Sequence, residues 1–139
     1  MTRAIPVLAI SAALLLAAQL VPLRVSNPPV VQPPTWDEAT ADLARKACFD
    51  CHSNEVQVPW YGHVAPVSWV VRHHVEEGRH ELNFSEMHRE QEEAHEAAEA
   101  VRDGEMPPAY YTLMHPEARL SDADRAALAE GLAAALGDD

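Results

Sequence analysis

Five residues, Cys48-Phe49-Asp50-Cys51-His52, constrain this chain more than any other stretch. Cys48 and Cys51 are its only cysteines. On a helical turn, positions i and i+3 share a face, so both thiols reach one edge of a flat group beside it. The imidazole of His52 follows at once and can swing under the centre of that group. C-x-x-C-H is the spacing at which a c-type haem is attached, with the thiols bonded to its vinyl groups and the histidine on its iron.

Three other readings compete. A redox dithiol comes with a βαβ pattern, and no such alternation is present. A zinc site needs four ligands, and no second C-x-x-C or H-x-x-x-H completes the set. His73 and His74 are adjacent, so one helix face cannot present both to one metal. A plain structural disulfide would leave the trailing His52 without a purpose. That histidine and an export segment upstream both favour haem.

The chain has 139 residues and a formal net charge of −12. That is room for one small domain with a modest core, which a covalent haem would enlarge. Only Arg3 and Arg24 precede the first acid, Asp37, so the acidity is concentrated after it. Nucleic acid is thereby excluded as a partner, since phosphate binding needs a basic face. A redox protein with a basic docking patch suits the field better.

Residues 1–23 hold Arg3 and then an apolar run from Ala4 to Val21, which reads as a signal anchor or signal peptide. The run is close to the length that spans a bilayer, about 20 residues. Cleavage after Ala17 or Ala18 would put Leu15 or Leu16 at −3, a poor fit, so the segment is expected to stay as a membrane anchor. Haem attachment occurs outside the cytoplasmic membrane. The domain is therefore expected on the periplasmic side of the bacterial cytoplasmic membrane, or free in the periplasm if the segment is cleaved. Residues 24–34 contain Pro28-Pro29 and Pro33-Pro34 and read as an extended, semi-rigid stalk.

Residues 35–139 read as an all-α domain. Thr35-x-x-Glu38 is a capping box that predicts a helix from Trp36 to about Cys51. A loop follows, in which Trp60 and Tyr61 could pack on a haem edge and the Pro59 carbonyl could fix His52. A second helix is expected from Pro66 to about Glu77, stopped by Gly78. Its apolar stripe turns His74 inward and leaves His73 nearer solvent. Arg72 and Arg79 are candidate partners for haem propionates. Ser85 predicts an acidic helix to about Arg102, with His88 and His95 on one face. Ser121-x-x-Asp124 opens a last helix to about Leu136, closed by Gly137, with Leu120, Ala123, Ala127, Leu128, Leu132 and Leu136 inward. Small residues on the first and last helices, Ala44 and Ala47 against Ala127 and Ala134, would let the two cross closely.

Between the last two helices lies Asp103-Gly104-Glu105-Met106-Pro107-Pro108. A methionine on a rigid Gly/Pro loop downstream of C-x-x-C-H has the character of a sixth haem ligand, and a thioether raises the haem potential. Met106 is the expected ligand, with His74 and His115 as alternatives. Met87 and Met114 read as structural.

These residues carry a resemblance. Cys48-Phe49-Asp50-Cys51-His52-Ser53-Asn54, Pro59-Trp60-Tyr61, Ala65-Pro66-Val67-Ser68-Trp69, His74-Val75-x-x-Gly78-Arg79, Leu82-Asn83-Phe84-Ser85, Met106-Pro107-Pro108 and Tyr111-x-Leu113-x-His115-Pro116 occur in this order. The chain resembles the small bacterial haem-binding-domain family of monohaem c-type cytochromes. The resemblance implies one covalent haem c, a small cytochrome c-like helical fold and export, and it makes the Met106 loop the distal side. Electron transfer between redox partners is the expected function, rather than catalysis. The alternative is a haem enzyme or ligand sensor, peroxidase-like or gas-binding, whose distal ligand can be displaced.

Overall fold

The computed structural model describes residues 4–137; Arg3, the expected basic start, lies outside the described residues. Among the described residues seven helices follow one another: α1 (Ala4–Ala18), α2 (Glu38–Ala47), α3 (Phe49–His52), α4 (Val67–Glu81), α5 (Ala97–Arg102), α6 (Ala109–Met114) and α7 (Asp122–Leu136). Two short 3-10 turns lie at Trp60–His63 and Pro116–Ala118. Among the described residues there is no strand, only an isolated bridge between Gln32 and Glu86. The all-α expectation holds.

The core forms where α7 crosses α2 and α5. Ala44, Ala47, Phe84, Val101, Leu128 and Leu132 are buried there. Phe84 is flanked by Trp36 and Phe49, with ring centroids 5.1 and 5.8 Å away. The crossing of α2 and α7 is close at Gly131, where any Cβ would overlap the Thr40 side chain. The inward face of α7 is shifted from the expected one. Leu128, Ala129 and Leu132 are buried, whereas Ala123, Ala127 and Ala134 are exposed. Its ends fall as expected. Ser121 accepts from the Asp124 N–H, and Gly137 ends the helix with φ +96°.

Elsewhere the boundaries move. Asp37, not Thr35, caps α2: its carboxylate accepts from the Thr40 N–H at 3.0 Å and the Thr40 hydroxyl at 2.6 Å. The first helix does not run to Cys51 but breaks at Cys48. Helix α4 does not stop at Gly78 but continues to Glu81. The expected helix from Ser85 shrinks to Ala97–Arg102. Residues 85–96 turn instead, because side chains take the backbone groups a helix would use. Gln91 Oε1 accepts from the Asn83 N–H at 2.8 Å, and Gln91 Nε2 donates to the Glu86 carbonyl at 2.9 Å. His88 and His95 therefore share no helix face.

The N-terminal region also differs. Helix α1 has 15 residues, about 22 Å at 1.5 Å per residue, short of the ~30 Å of a bilayer core. Among the described residues no helix is long and apolar enough to cross a membrane. The stretch read as a stalk is extended, but it is laid along the domain. Asn27 exchanges two hydrogen bonds with the Val56 backbone, at 2.9 and 3.2 Å. The Pro29 carbonyl accepts from Asn54 at 3.2 Å, and the N–H groups of Val31 and Gln32 both donate to the Ser85 carbonyl.

Candidate functional site

The break at Cys48 creates the site. Its carbonyl accepts from the N–H groups of Cys51 and His52, at 3.0 and 2.9 Å, closing one tight turn that carries both thiols and the imidazole. Helix α4 packs on this turn. Gly78 makes that possible, because a Cβ there would stand 2.7 Å from the Cys51 carbonyl oxygen. The end of α4 then delivers Leu82, whose carbonyl accepts from His52 Nδ1 at 3.0 Å. A carbonyl only accepts, so Nδ1 carries the proton and Nε2 keeps its lone pair. Burial holds the imidazole below its ordinary pKa, favouring this neutral, ligating form. The expected acceptor, Pro59, is used elsewhere: its carbonyl takes the Gly62 N–H at 2.9 Å. Leu82 was missed because a backbone carbonyl leaves no mark in a sequence.

Beside this turn lies a cavity of about 440 Å³, lined by Cys48, Cys51 and His52. Phe84, Val101 and Leu132 bring the hydrophobic core to its wall, and Met106, Tyr110 and Tyr111 also line it. Glu77, Glu81, Glu93, Glu96 and Glu105 bring carboxylates to the same cavity. Its volume falls within the roughly 300–1,000 Å³ typical of cofactor sites. Burial pushes the Cys48 thiol up to about 12 and the Cys51 thiol to about 11. Such thiols are poor nucleophiles at neutral pH, which counts against a redox dithiol. Among the described residues the group of three potential metal ligands is His80, Glu81 and Glu92, which includes neither cysteine. The two thiols, the imidazole with its unprotonated Nε2 and the apolar walls fit a large apolar metal macrocycle.

The loop from Asp103 is held by one carbonyl. Ala100 accepts from the N–H groups of both Glu105 and Met106, each at 3.0 Å, after Gly104 turns the chain with φ +78°. Met106 thus reaches the cavity while 36% exposed. His74 also lines it, its ring 5.3 Å from that of Tyr110. His115 lies outside the main cavity and has both nitrogens engaged. Nδ1 donates to Glu117 Oε1 at 3.0 Å and Nε2 accepts from the Tyr61 hydroxyl at 2.7 Å. Met87 packs against the core and Met114 is exposed.

Neither arginine expected near the propionates lines the cavity. Arg72 pairs with Glu76 at 2.7 Å on the surface. Arg79 turns to the N-terminal stretch, donating to the carbonyls of Ser53 and Ser26 and to Asn27 Oδ1 at 2.7, 2.8 and 3.0 Å. Trp60 is exposed, and the aromatic residues at the cavity are Phe84, Tyr110 and Tyr111 rather than Trp60 and Tyr61. Tyr111 also donates to Asp50 Oδ2 at 2.7 Å, tying α6 to the residue between the two cysteines. Spacing could not have paired residues so far apart.

A family model described as a haem-binding domain matches residues 13–134. No curated protein and no solved structure matches the chain.

Proposed function

The chain belongs to the haem-binding domain family, and from that premise we propose that it is a monohaem c-type cytochrome that carries electrons between protein partners. The observation that carries this reading is His52 Nδ1 on the Leu82 carbonyl, which leaves Nε2 as the unprotonated nitrogen of a neutral imidazole at the cavity wall, on the same turn as two thiols. Cys48 and Cys51 would hold haem c covalently, His52 would be its proximal ligand and Met106 its distal one. Bound iron of this kind supplies one-electron transfer at a potential set by its ligands.

The protein's own part is to hold and shield. Leu82 fixes the tautomer and the plane of His52. The core side chains at the cavity keep water from one side of it. The Ala100 carbonyl holds the Met106 loop in place. The carboxylates at the cavity favour brief docking of a redox protein with a basic patch. Apolar α1 keeps the domain at the periplasmic face of the cytoplasmic membrane.

The test is production of the full chain in a bacterial host competent for cytochrome maturation. The expected product carries one haem by mass and has low-spin spectra in both oxidation states, with a methionine-to-iron charge-transfer band. Reduced protein should bind carbon monoxide poorly, and Met106→Ala should remove the band and open the iron. A colourless product of plain polypeptide mass would refute the haem c assignment. Rapid carbon monoxide binding by the unaltered protein would favour a ligand sensor or peroxidase-like enzyme, with His74 or Tyr110 on the distal side.

A further inference from the structure

Although the chain holds 22 acidic residues, none lies in residues 1–36 or in residues 56–75. The fold joins these two acid-free stretches. The Gln19 side-chain amide pairs with the Ala65 backbone, accepting from its N–H at 3.0 Å and donating to its carbonyl at 2.9 Å. Trp69 Nε1 donates to the Val21 carbonyl at 3.0 Å. Around these bonds the surface is apolar. Trp60 is 79% exposed and Leu20 82%, and Val64, Val67 and Val70 are exposed as well.

Helix α1, whose end is pinned here, leaves its large apolar side chains uncovered from Val7 to Leu16. A helix that is apolar on all sides needs a cover that this fold does not provide. The exposed face of the domain continues that apolar surface. Neither stretch supplies a carboxylate to be dehydrated, Glu117 approaching only by way of His115 behind Tyr61, and the face offers a tryptophan, whose amphipathic ring suits a membrane–water boundary. Glutamates such as Glu81 and Glu93 lie at the cavity instead.

We propose that the face bearing Leu20, Trp60, Val64 and Val67 rests on the surface of a phospholipid bilayer into which α1 inserts. The haem domain is then seated on the membrane in one orientation rather than suspended from it. The proposal rests on the membrane association of α1 given above, and is independent of which ligands the iron takes.

The test uses the full haem-loaded chain in phosphatidylcholine vesicles doped with a photoactivatable, carbene-generating phospholipid. Adducts are then mapped by mass spectrometry. The expected result is labelling of α1 and of residues 60–70, several-fold above residues 81–105. A Trp60→Glu, Val67→Glu double variant should lose the labelling of residues 60–70 while its visible spectrum and the labelling of α1 are unchanged. Labelling of α1 alone would overturn this seating and leave the membrane association intact. Absence of label from α1 would overturn both. A concentration-dependent dimer in which residues 60–70 are protected in the absence of lipid would also overturn it, in favour of a second copy of the chain.

Discussion

Gly78 lies so close to Cys51 that a Cβ added to it would stand 2.7 Å from the Cys51 carbonyl oxygen and 3.0 Å from its Cβ. Neither atom is the free end of a flexible side chain, so the clash can be relieved only by moving α4 off the cysteine turn. Gly78→Ala is expected to destabilise the protein by about 1–3 kcal/mol, the cost of overfilling a packed site. That loss would come despite the gain in helix propensity from glycine to alanine, about 1 kcal/mol. Denaturant unfolding measures the change, and the fraction of haem-loaded chain by mass should fall with it. Unchanged stability would mean that the two segments are not in contact.

The hydrogen bond from Tyr111 to Asp50, at 2.7 Å, joins the helix after the Met106 loop to the centre of the cysteine turn. Tyr111→Phe keeps the ring and removes the bond. The expected loss is about 1.5 kcal/mol, as for a hydrogen bond to a charged group. Asp50→Asn leaves one amide oxygen for two donors, the Tyr111 hydroxyl and the Gln57 N–H at 3.1 Å, so it should cost at least as much. A loss in Asp50→Asn clearly smaller than in Tyr111→Phe would argue against this bond as the cause.

Burial lowers the His52 pKa in the folded chain below its ordinary 6.5. Between these two values the unfolded chain takes up a proton that the folded chain refuses. Stability of the haem-free protein should therefore fall as pH drops through and below 6.5. Thermal unfolding from pH 7.5 to 5 should show this slope, and His52→Gln should flatten it. A slope the same in both proteins would assign the effect to other groups.

Gly131 leaves no room for a methyl beside Thr40 where α7 crosses α2. Gly131→Ala is expected to cost about 1–3 kcal/mol. Thr40→Ala removes the two nearest atoms, Oγ1 and Cγ2, but leaves its own Cβ 2.8 Å away, so the double variant relieves the clash in part and should be more stable than the sum of the single losses predicts. Strict additivity in a double-mutant cycle would sink this account of the crossing.

What was legible in the sequence was local. The spacing within five residues places both thiols on one turn, though not the break at Cys48 that isolates it, and the ends of α7 are marked by a serine cap and a closing glycine. What was not legible depends on a partner far along the chain. Gly78 has the composition of a helix stop, yet the need it meets is the nearness of Cys51, which no local pattern encodes. Asp37 outcompetes Thr35 as a cap because it satisfies both the backbone and the side chain of Thr40. The acidic stretch after Ser85 has too thin an apolar face to hold a helix against its own side-chain hydrogen bonds. The family reading was legible because its motifs are ordered through nearly the whole domain, and the match over residues 13–134 agrees with it.

Asn27 grips Val56 while Arg79 reaches back to Ser26 and Asn27, so the two residues before the first proline pair each have an assigned counterpart on the domain. A loose leash tolerates extra links; a zipper does not. One residue inserted between Gln19 and Asn27 would force the chain to give up either the Ala65 pairing or the Val56 pairing. The distance from the apolar helix to the cysteines is therefore set by register, and cannot be tuned by lengthening the segment between them.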